Sequence, residues 1–260
     1  MVTATASSRP VLTFQNFSLR CDKSDPRISF EKPWNWKLPY GKKIALITSN
    51  SFLRYQIIGG IAGLVTPVSG EIISGGVIGW PVGGSGGLDG KLRISHAFKF
   101  LSEVYGDCLY ESRVSLVEFW DLLSSQEIYP SLILKELSRN QKEFLYLSLS
   151  VLFSFDCYLI PQTRFLMSNT AKPLRDILLK QLEGKTLLAT SSNKRFLSKF
   201  CDDGLVLSPK GEILFFGKCS EAIQWADLNL KMSEGLEMDD ESFQMGLDLQ
   251  NQTDSIEGMM

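Results

Sequence analysis

The chain has 260 residues, 44% of them hydrophobic, enough for one large or two small domains with a real core. Its net charge is −2, with both signs interspersed along most of the chain, so no basic field invites nucleic acid. One histidine, His96, and five scattered cysteines without CxxC spacing (Cys21, Cys108, Cys157, Cys201, Cys219) argue against a metal site and suit reduced thiols in a cytosol.

Residues 1–10 are small and polar, with no basic start or apolar run for export, and are expected to be a flexible N-terminus. Residues 11–19 alternate apolar and polar side chains and suit a half-exposed antiparallel strand. Residues 43–48 form an apolar run read as a buried strand, with a helix expected over 55–64. The stretch GEIISGGVIGWPVGGSGGLDG, residues 70–90, reads as a flexible or tightly turning loop. Residues 91–153 are mainly helical in pattern, with Phe98, Leu101, Val104 and Tyr105 at helical spacing, a packing stripe.

A helix over 140–153 leads into a short buried strand at 157–160. The most apolar stretch, 145–160, contains Asp156 and is too short and too interrupted to span a bilayer. Residues 186–190 form a third buried strand, followed by a helix through Lys199. Residues 204–207 and 212–216 flank Ser208, Pro209, Lys210 and Gly211, a hairpin signal. From Ser233 onward there are eight acidic residues and no Lys or Arg, so 231–260 reads as a solvated, disordered tail. Buried strands alternating with helices, plus antiparallel pieces, point to an α/β core with a β-subdomain.

The segment IALITSNSFLRYQIIGGIAG, residues 44–63, runs strand, turn and helix like a phosphate-binding loop, yet its turn holds no glycine. Four pieces follow one another: IAGLVTPVSGEI, GGVIGWPVGGSGG, LSRNQKEFLYLSLSVLFSFDCYLI and KFCDDGLVL. In that order they resemble the ATP-binding subunit of ABC transporters, closest in look to the branch exporting capsular polysaccharide, O-antigen or teichoic acid. The likeness covers roughly residues 11–228. It implies a P-loop NTPase-like fold with a mainly parallel core sheet, an antiparallel β-subdomain and a helical subdomain at about 92–150, within one domain over 11–230.

The family's chemistry can be followed position by position. A phosphate loop needs G-x-x-x-x-G-K-[ST], because glycines let consecutive N–H groups turn inward around the phosphates. By the resemblance, Thr48 and Leu53 stand at the two glycine positions, Arg54 at the lysine and Tyr55 at the Mg²⁺-binding hydroxyl. Ser49, Asn50, Ser51 and Phe52 fill the loop, and of these Asn50 alone matches. Pro161 and Gln162 occupy the positions of the metal-holding Asp and the general-base Glu, and Ser192 that of the switch histidine. Asp89 falls near the glutamine that senses γ-phosphate. The signature loop reads Leu137, Ser138, Arg139, Asn140, Gln141: Ser138 and Gln141 match, and both glycines are gone. Read without the family, Ser138 is a helix N-cap for a helix starting near Arg139.

The resemblance therefore implies no catalytic residues and no metal, with ATP and Mg²⁺ at most weakly bound. It implies a pseudo-ATPase subunit of a glycan exporter, peripheral on the cytoplasmic face of the membrane. Such a subunit docks on a membrane permease, and leaves open a second ABC ATPase subunit in a homo- or heterodimer. Residues 95–135 are where such subunits meet the permease, with EVYGD at 103–107 similar to a segment there. Two other readings stay open: a weakly active ATPase using Arg54 and Gln162, and a soluble regulatory or scaffold protein with the same fold.

Overall fold

A computed structural model describes residues 10–161, 164–191 and 193–230. In chain order its elements are β1 (Leu12–Ser18), β2 (Lys37–Leu38), β3 (Lys43–Ile47), α1 (Ser51–Ile61), β4 (Ser69–Ser74), α2 (Ile94–Val104), α3 (Gly106–Tyr110) and α4 (Leu116–Ser124). They continue with α5 (Arg139–Leu152), β5 (Cys157–Ile160), α6 (Lys172–Gln181), β6 (Thr186–Thr190), α7 (Lys194–Phe200), β7 (Asp203–Leu207), β8 (Ile213–Lys218) and α8 (Cys219–Asn229). The described residues divide into two compact units, one of 10–12, 37–43 and 74–188, the other of 13–36, 44–73 and 189–230. The expectations for residues 1–9, Gln162, Ser192 and the acidic tail lie outside the described residues.

In the second unit β3 runs parallel to β7, with Ile44 opposite Asp203 and Ile47 opposite Val206. β7 then pairs antiparallel with β8 across the Pro-Gly turn, as the hairpin signal predicts. From Ile44 to Ile47 β3 is buried without interruption, the pattern of a strand covered on both faces. Helix α1 presents Leu53, Ile57, Ile58 and Ile61 to the interior. It also carries Gly59 and Gly60 where neighbours come close: a Cβ on Gly59 would lie 2.6 Å from Val65 Cγ2. Beside it β1 supplies Phe14 and Phe17, which with Phe30, Trp34 and Trp36 form a continuous ring cluster. Strict alternation would put Phe14 and Phe17 on opposite faces. Asn16, at φ 47°, interrupts the pleat and lets both face inward, a conformation Asn tolerates better than most residues.

In the first unit β5 neighbours β6, whose residues 186–188 belong to that unit, and both strands are buried. Trp80, Tyr105, Phe153 and Phe155 meet ring to ring. The glycine-rich stretch turns tightly, and close approach is the reason. A Cβ on Gly79 would lie 2.5 Å from Phe155 Cδ2, and one on Gly76 2.7 Å from Asp156 Oδ2. Phe98 stacks on Phe119 and Leu101 is buried, but Val104 is exposed, so the expected packing stripe loses one member. Val104 ends α2, where the chain turns through Tyr105 into α3 and the core face is handed over to Cys108.

The strands at 43–47, 157–160 and 186–190 fall where the sequence places them. Helix α1 does not: it begins at Ser51, not Tyr55, and ends at Ile61. The expected start assumed a loop running to residue 54, whereas Asn50 caps the helix four residues earlier. None of the described helices is long and apolar enough to cross a membrane.

The α1 packing yields a stability prediction. Ile61 is 4% exposed, and Ile61→Ala should lower the free energy of unfolding by about 2–5 kcal/mol, read from urea denaturation. A loss below about 0.5 kcal/mol would mean α1 is not packed as described.

Candidate functional site

The turn between β3 and α1 is where a phosphate loop would lie, and its Asn50, Leu53 and Arg54 N–H groups are committed within the chain. Thr48, buried at the end of β3, accepts the Asn50 N–H on Oγ1 at 3.3 Å. Asn50 has extended backbone geometry (φ −90°, ψ 104°), and its Oδ1 accepts the Leu53 N–H at 3.0 Å. Its carbonyl accepts the Arg54 N–H at 3.2 Å, closing the first helical turn. The same side chain donates from Nδ2 to Cys21 O at 2.7 Å and to Pro209 O at 2.8 Å. Oxygen toward an N–H and nitrogen toward two carbonyls fixes the amide orientation, since a flip would set like against like at every contact.

A phosphate nest alternates right- and left-handed backbone so that successive N–H groups converge. Every residue from Thr48 to Tyr55 has negative φ. The Leu53 N–H is occupied by Asn50 and the Leu53 side chain is buried. Ser49, Ser51, Phe52 and Arg54 are half-buried on this turn. Tyr55 is half-buried too, and burial pushes its hydroxyl above its ordinary pKa. Arg54 sits in the first turn, where the helix dipole disfavours a cation.

Asn50 belongs to a wider tie. Trp34 donates from Nε1 to Gly211 O at 2.8 Å, and Lys210 pairs with Glu31 at 2.7 Å. Lys32 pairs with Glu212 across the same turn. The β7–β8 turn is thus held by the segment after β1 and by the start of α1 together. Cys21, whose carbonyl takes one Asn50 bond, has its thiol pushed up to about 11, first by burial and then by the Glu31 charge. That thiol stays protonated at neutral pH and accordingly unreactive.

The remaining candidate residues lie in the first unit. Pro161 follows directly on the buried strand β5 and brings no side-chain oxygen. Asp89 is exposed and accepts the Lys91 N–H on Oδ1 at 2.8 Å, a local turn cap. Its turn leads into residues 90–92, which bond the segment just before the signature loop: Lys135 N–H donates to Gly90 O at 2.8 Å and Leu134 N–H to Leu92 O at 3.0 Å. In that loop Ser138 is the N-cap of α5, as the bare reading expects. Ser138 Oγ accepts the Gln141 N–H at 3.3 Å, and Gln141 Oε1 accepts the Ser138 N–H at 3.0 Å, a reciprocal capping box. Gln141 also donates to Gln126 O at 3.1 Å. Leu137 is buried, Arg139 pairs with Glu143 at 3.1 Å, and Asn140 is exposed.

The sequence named Asn50 but not its partners. Cys21 and Pro209 act through main-chain carbonyls, which leave no residue-type signal. On α2, α3 and α4 the exposed apolar side chains Phe100, Val104, Tyr110, Leu116 and Val117 were likewise invisible, because spacing alone does not say which side of a stripe is covered.

No family model matches the chain. Solved structures share its fold: an ATP-binding subunit of an ABC transporter superposes with a TM-score of 0.60 over 92% of this chain and 99% of that one, at 16% identity. CbiO1 of Clostridium perfringens, part of the ABC transporter complex cbiONQ, does so at 0.52 over 86% and 96%, at 15% identity. The fold is that of an ABC-type ATPase. Among sequences, the chain is 34% identical over 195 residues to the polysialic acid transport ATP-binding protein KpsT of Escherichia coli, covering 74% of this chain and 87% of that protein. It is 26% identical to the capsule polysaccharide export ATP-binding protein CtrD of Neisseria meningitidis, over 74% and 87%, and 27% identical to the ATP-binding protein BexA of Haemophilus influenzae, over 74% and 86%. The chain belongs to this family of ABC ATP-binding subunits of capsular polysaccharide export.

The Asn50 network predicts an asymmetry. Asn50→Ala removes a helix cap and leaves the half-buried Cys21 carbonyl without its partner, so unfolding free energy should fall by about 2–4 kcal/mol. Asn50→Ser keeps the cap alone and should lose about half as much. In urea denaturation, no loss for Asn50→Ser would show that the Cys21 and Pro209 bonds contribute nothing, and equal losses for the two variants would show that the cap contributes nothing.

Proposed function

We propose that this chain is a pseudo-ATPase: an ABC subunit of a polysaccharide or lipid-linked glycan exporter that keeps the family's fold and has given up its nucleotide chemistry. The observation that carries this is Asn50, whose side chain occupies the Leu53 N–H and is itself consumed by Cys21 and Pro209. A polyphosphate needs inward N–H groups, a fitted cation and a hydroxyl for Mg²⁺. The residues at those positions, Thr48, Leu53, Arg54 and Tyr55, do not fit the group. Pro161 supplies no ligand where the family holds metal, and a glutamine at 162 accepts no proton. Loss of a general base alone costs roughly 10²- to 10⁴-fold in rate. The signature residues Ser138 and Gln141 are spent on capping α5.

What remains is a docking role. The subunit sits on the cytoplasmic side of a membrane permease, and transport draws its energy from a competent ATP-binding subunit in the same assembly. The exposed apolar residues of α2, α3 and α4 support this reading: Tyr110 is 93% and Val117 72% exposed, large apolar surface left in solvent that a partner could cover.

The purified chain should hydrolyse ATP no faster than a matched blank. Mg²⁺-dependent turnover above background that Arg54→Ala abolishes would overturn the proposal. By calorimetry ATP should bind more weakly than about millimolar, or roughly −4 kcal/mol. Docking is tested apart from chemistry: with the permease of the same exporter, Val117→Asp should reduce co-purification while Arg54→Ala and Gln162→Ala leave it intact. The reverse ranking would place function back in the nucleotide site.

A further inference from the structure

Among the described residues β8 pairs with β7 on one side only and ends the strand order of its sheet. The Cys219 N–H donates to Asp202 O at 2.9 Å. Antiparallel pairing alternates, so Gly217 and Phe215 also turn their main chain toward β7, opposite Gly204 and Val206. The N–H and C=O groups of Phe216 and Lys218 therefore point the other way, and no main-chain group of the described residues bonds them there. Side chains along this edge are apolar and in solvent: Ile213 is 41%, Leu214 38% and Phe216 57% exposed. An edge of this kind is a template for another strand.

The charges select the occupant. Glu212 precedes the strand and Lys218 ends it, with ILFFG between them. A parallel copy of the same strand would set Glu212 against Glu212 and Lys218 against Lys218, and like charges directly opposite are destabilising. An antiparallel copy reverses the order. It brings Lys218 of each strand diagonally across from the second copy's Glu212, within reach of a long side chain. The outward groups set the register: Phe216 meets the second copy's Phe216 on the two-fold axis, and Leu214 lies opposite the second copy's Lys218. A pair of this symmetry covers both edges at once, so assembly stops at two.

We propose that two copies of this chain pair antiparallel along the outer edge of β8, with residues 214–218 of each in the ladder and Phe216 on the axis. The pairing uses no residue of the β3–α1 turn and holds whether or not the chain binds nucleotide. A contact this short is small, so the dimer is weak and forms at high protein concentration.

Sedimentation equilibrium of the full-length chain without nucleotide, from about 1 μM to about 1 mM, should show monomer and dimer in exchange. Phe216→Asp sets two carboxylates together on the axis and should raise the dissociation constant at least about tenfold. A monomer throughout, or a constant that this variant leaves unchanged, would overturn the proposal. Hydrogen exchange locates the contact: the Phe216 and Lys218 amides should become more protected as concentration rises. Protection that is the same at every concentration would mean a cover from within the chain, and the proposal fails. A further variant answers the case in which Phe216→Asp does not fold. The native cysteines are all buried, so disulfide-linked dimer formed by Phe216→Cys on mild oxidation reports residue 216 against itself. It should form at least about tenfold faster than with Leu228→Cys, a position 85% exposed on α8. Equal rates count against the pairing.

Discussion

The Asn50 side chain is the constraint on which the rest of this region depends. One amide joins three segments far apart in sequence: the start of α1, the carbonyl of Cys21 and the carbonyl of Pro209 in the β7–β8 turn. The bonds to Leu53 and Cys21 are half-buried and the one to Pro209 is exposed, so the first two matter most: a buried group left unpaired costs about 1–3 kcal/mol. The same geometry decides the chemistry. A helix N-terminus attracts anions through its free N–H groups, and here Asn50 itself takes one of them. Structural order at the helix start and phosphate binding compete for the same donors.

The same logic extends to the signature loop. Ser138 and Gln141 satisfy each other's backbone N–H groups at the start of α5. In both places a residue that the resemblance matches to the family also caps a helix, Asn50 for α1 and Ser138 for α5. A chain under selection for fold and docking would keep caps, buried strands and the close Gly59 and Gly60 contacts of α1, and would be free to lose the rest.

Much of the scaffold was legible in the sequence, for identifiable reasons. The strands at 43–47, 157–160 and 186–190 have apolar centres buried on both faces, a pattern that tolerates few readings. The β7–β8 hairpin announces itself through Pro209 and Gly211. The start of α1 was misplaced because Asn50 was read as a remnant of a loop rather than as a cap. Inward-facing Phe14 and Phe17 could not be read from alternation, since the left-handed Asn16 that breaks it has no distinctive pattern. Legibility was lowest for main-chain partners, such as Cys21 O and Pro209 O, and for the exposed side of α2.

The central claim is that the Leu53 N–H is committed to Asn50 and unavailable to phosphate. Amide NMR during a titration with Mg²⁺-ATP tests it at the atom concerned. The Leu53 and Arg54 amide resonances should stay in place through millimolar nucleotide in the native protein. A saturable, Mg²⁺-dependent shift of the Leu53 amide would contradict it, since that donor would then have turned from Asn50 to a phosphate.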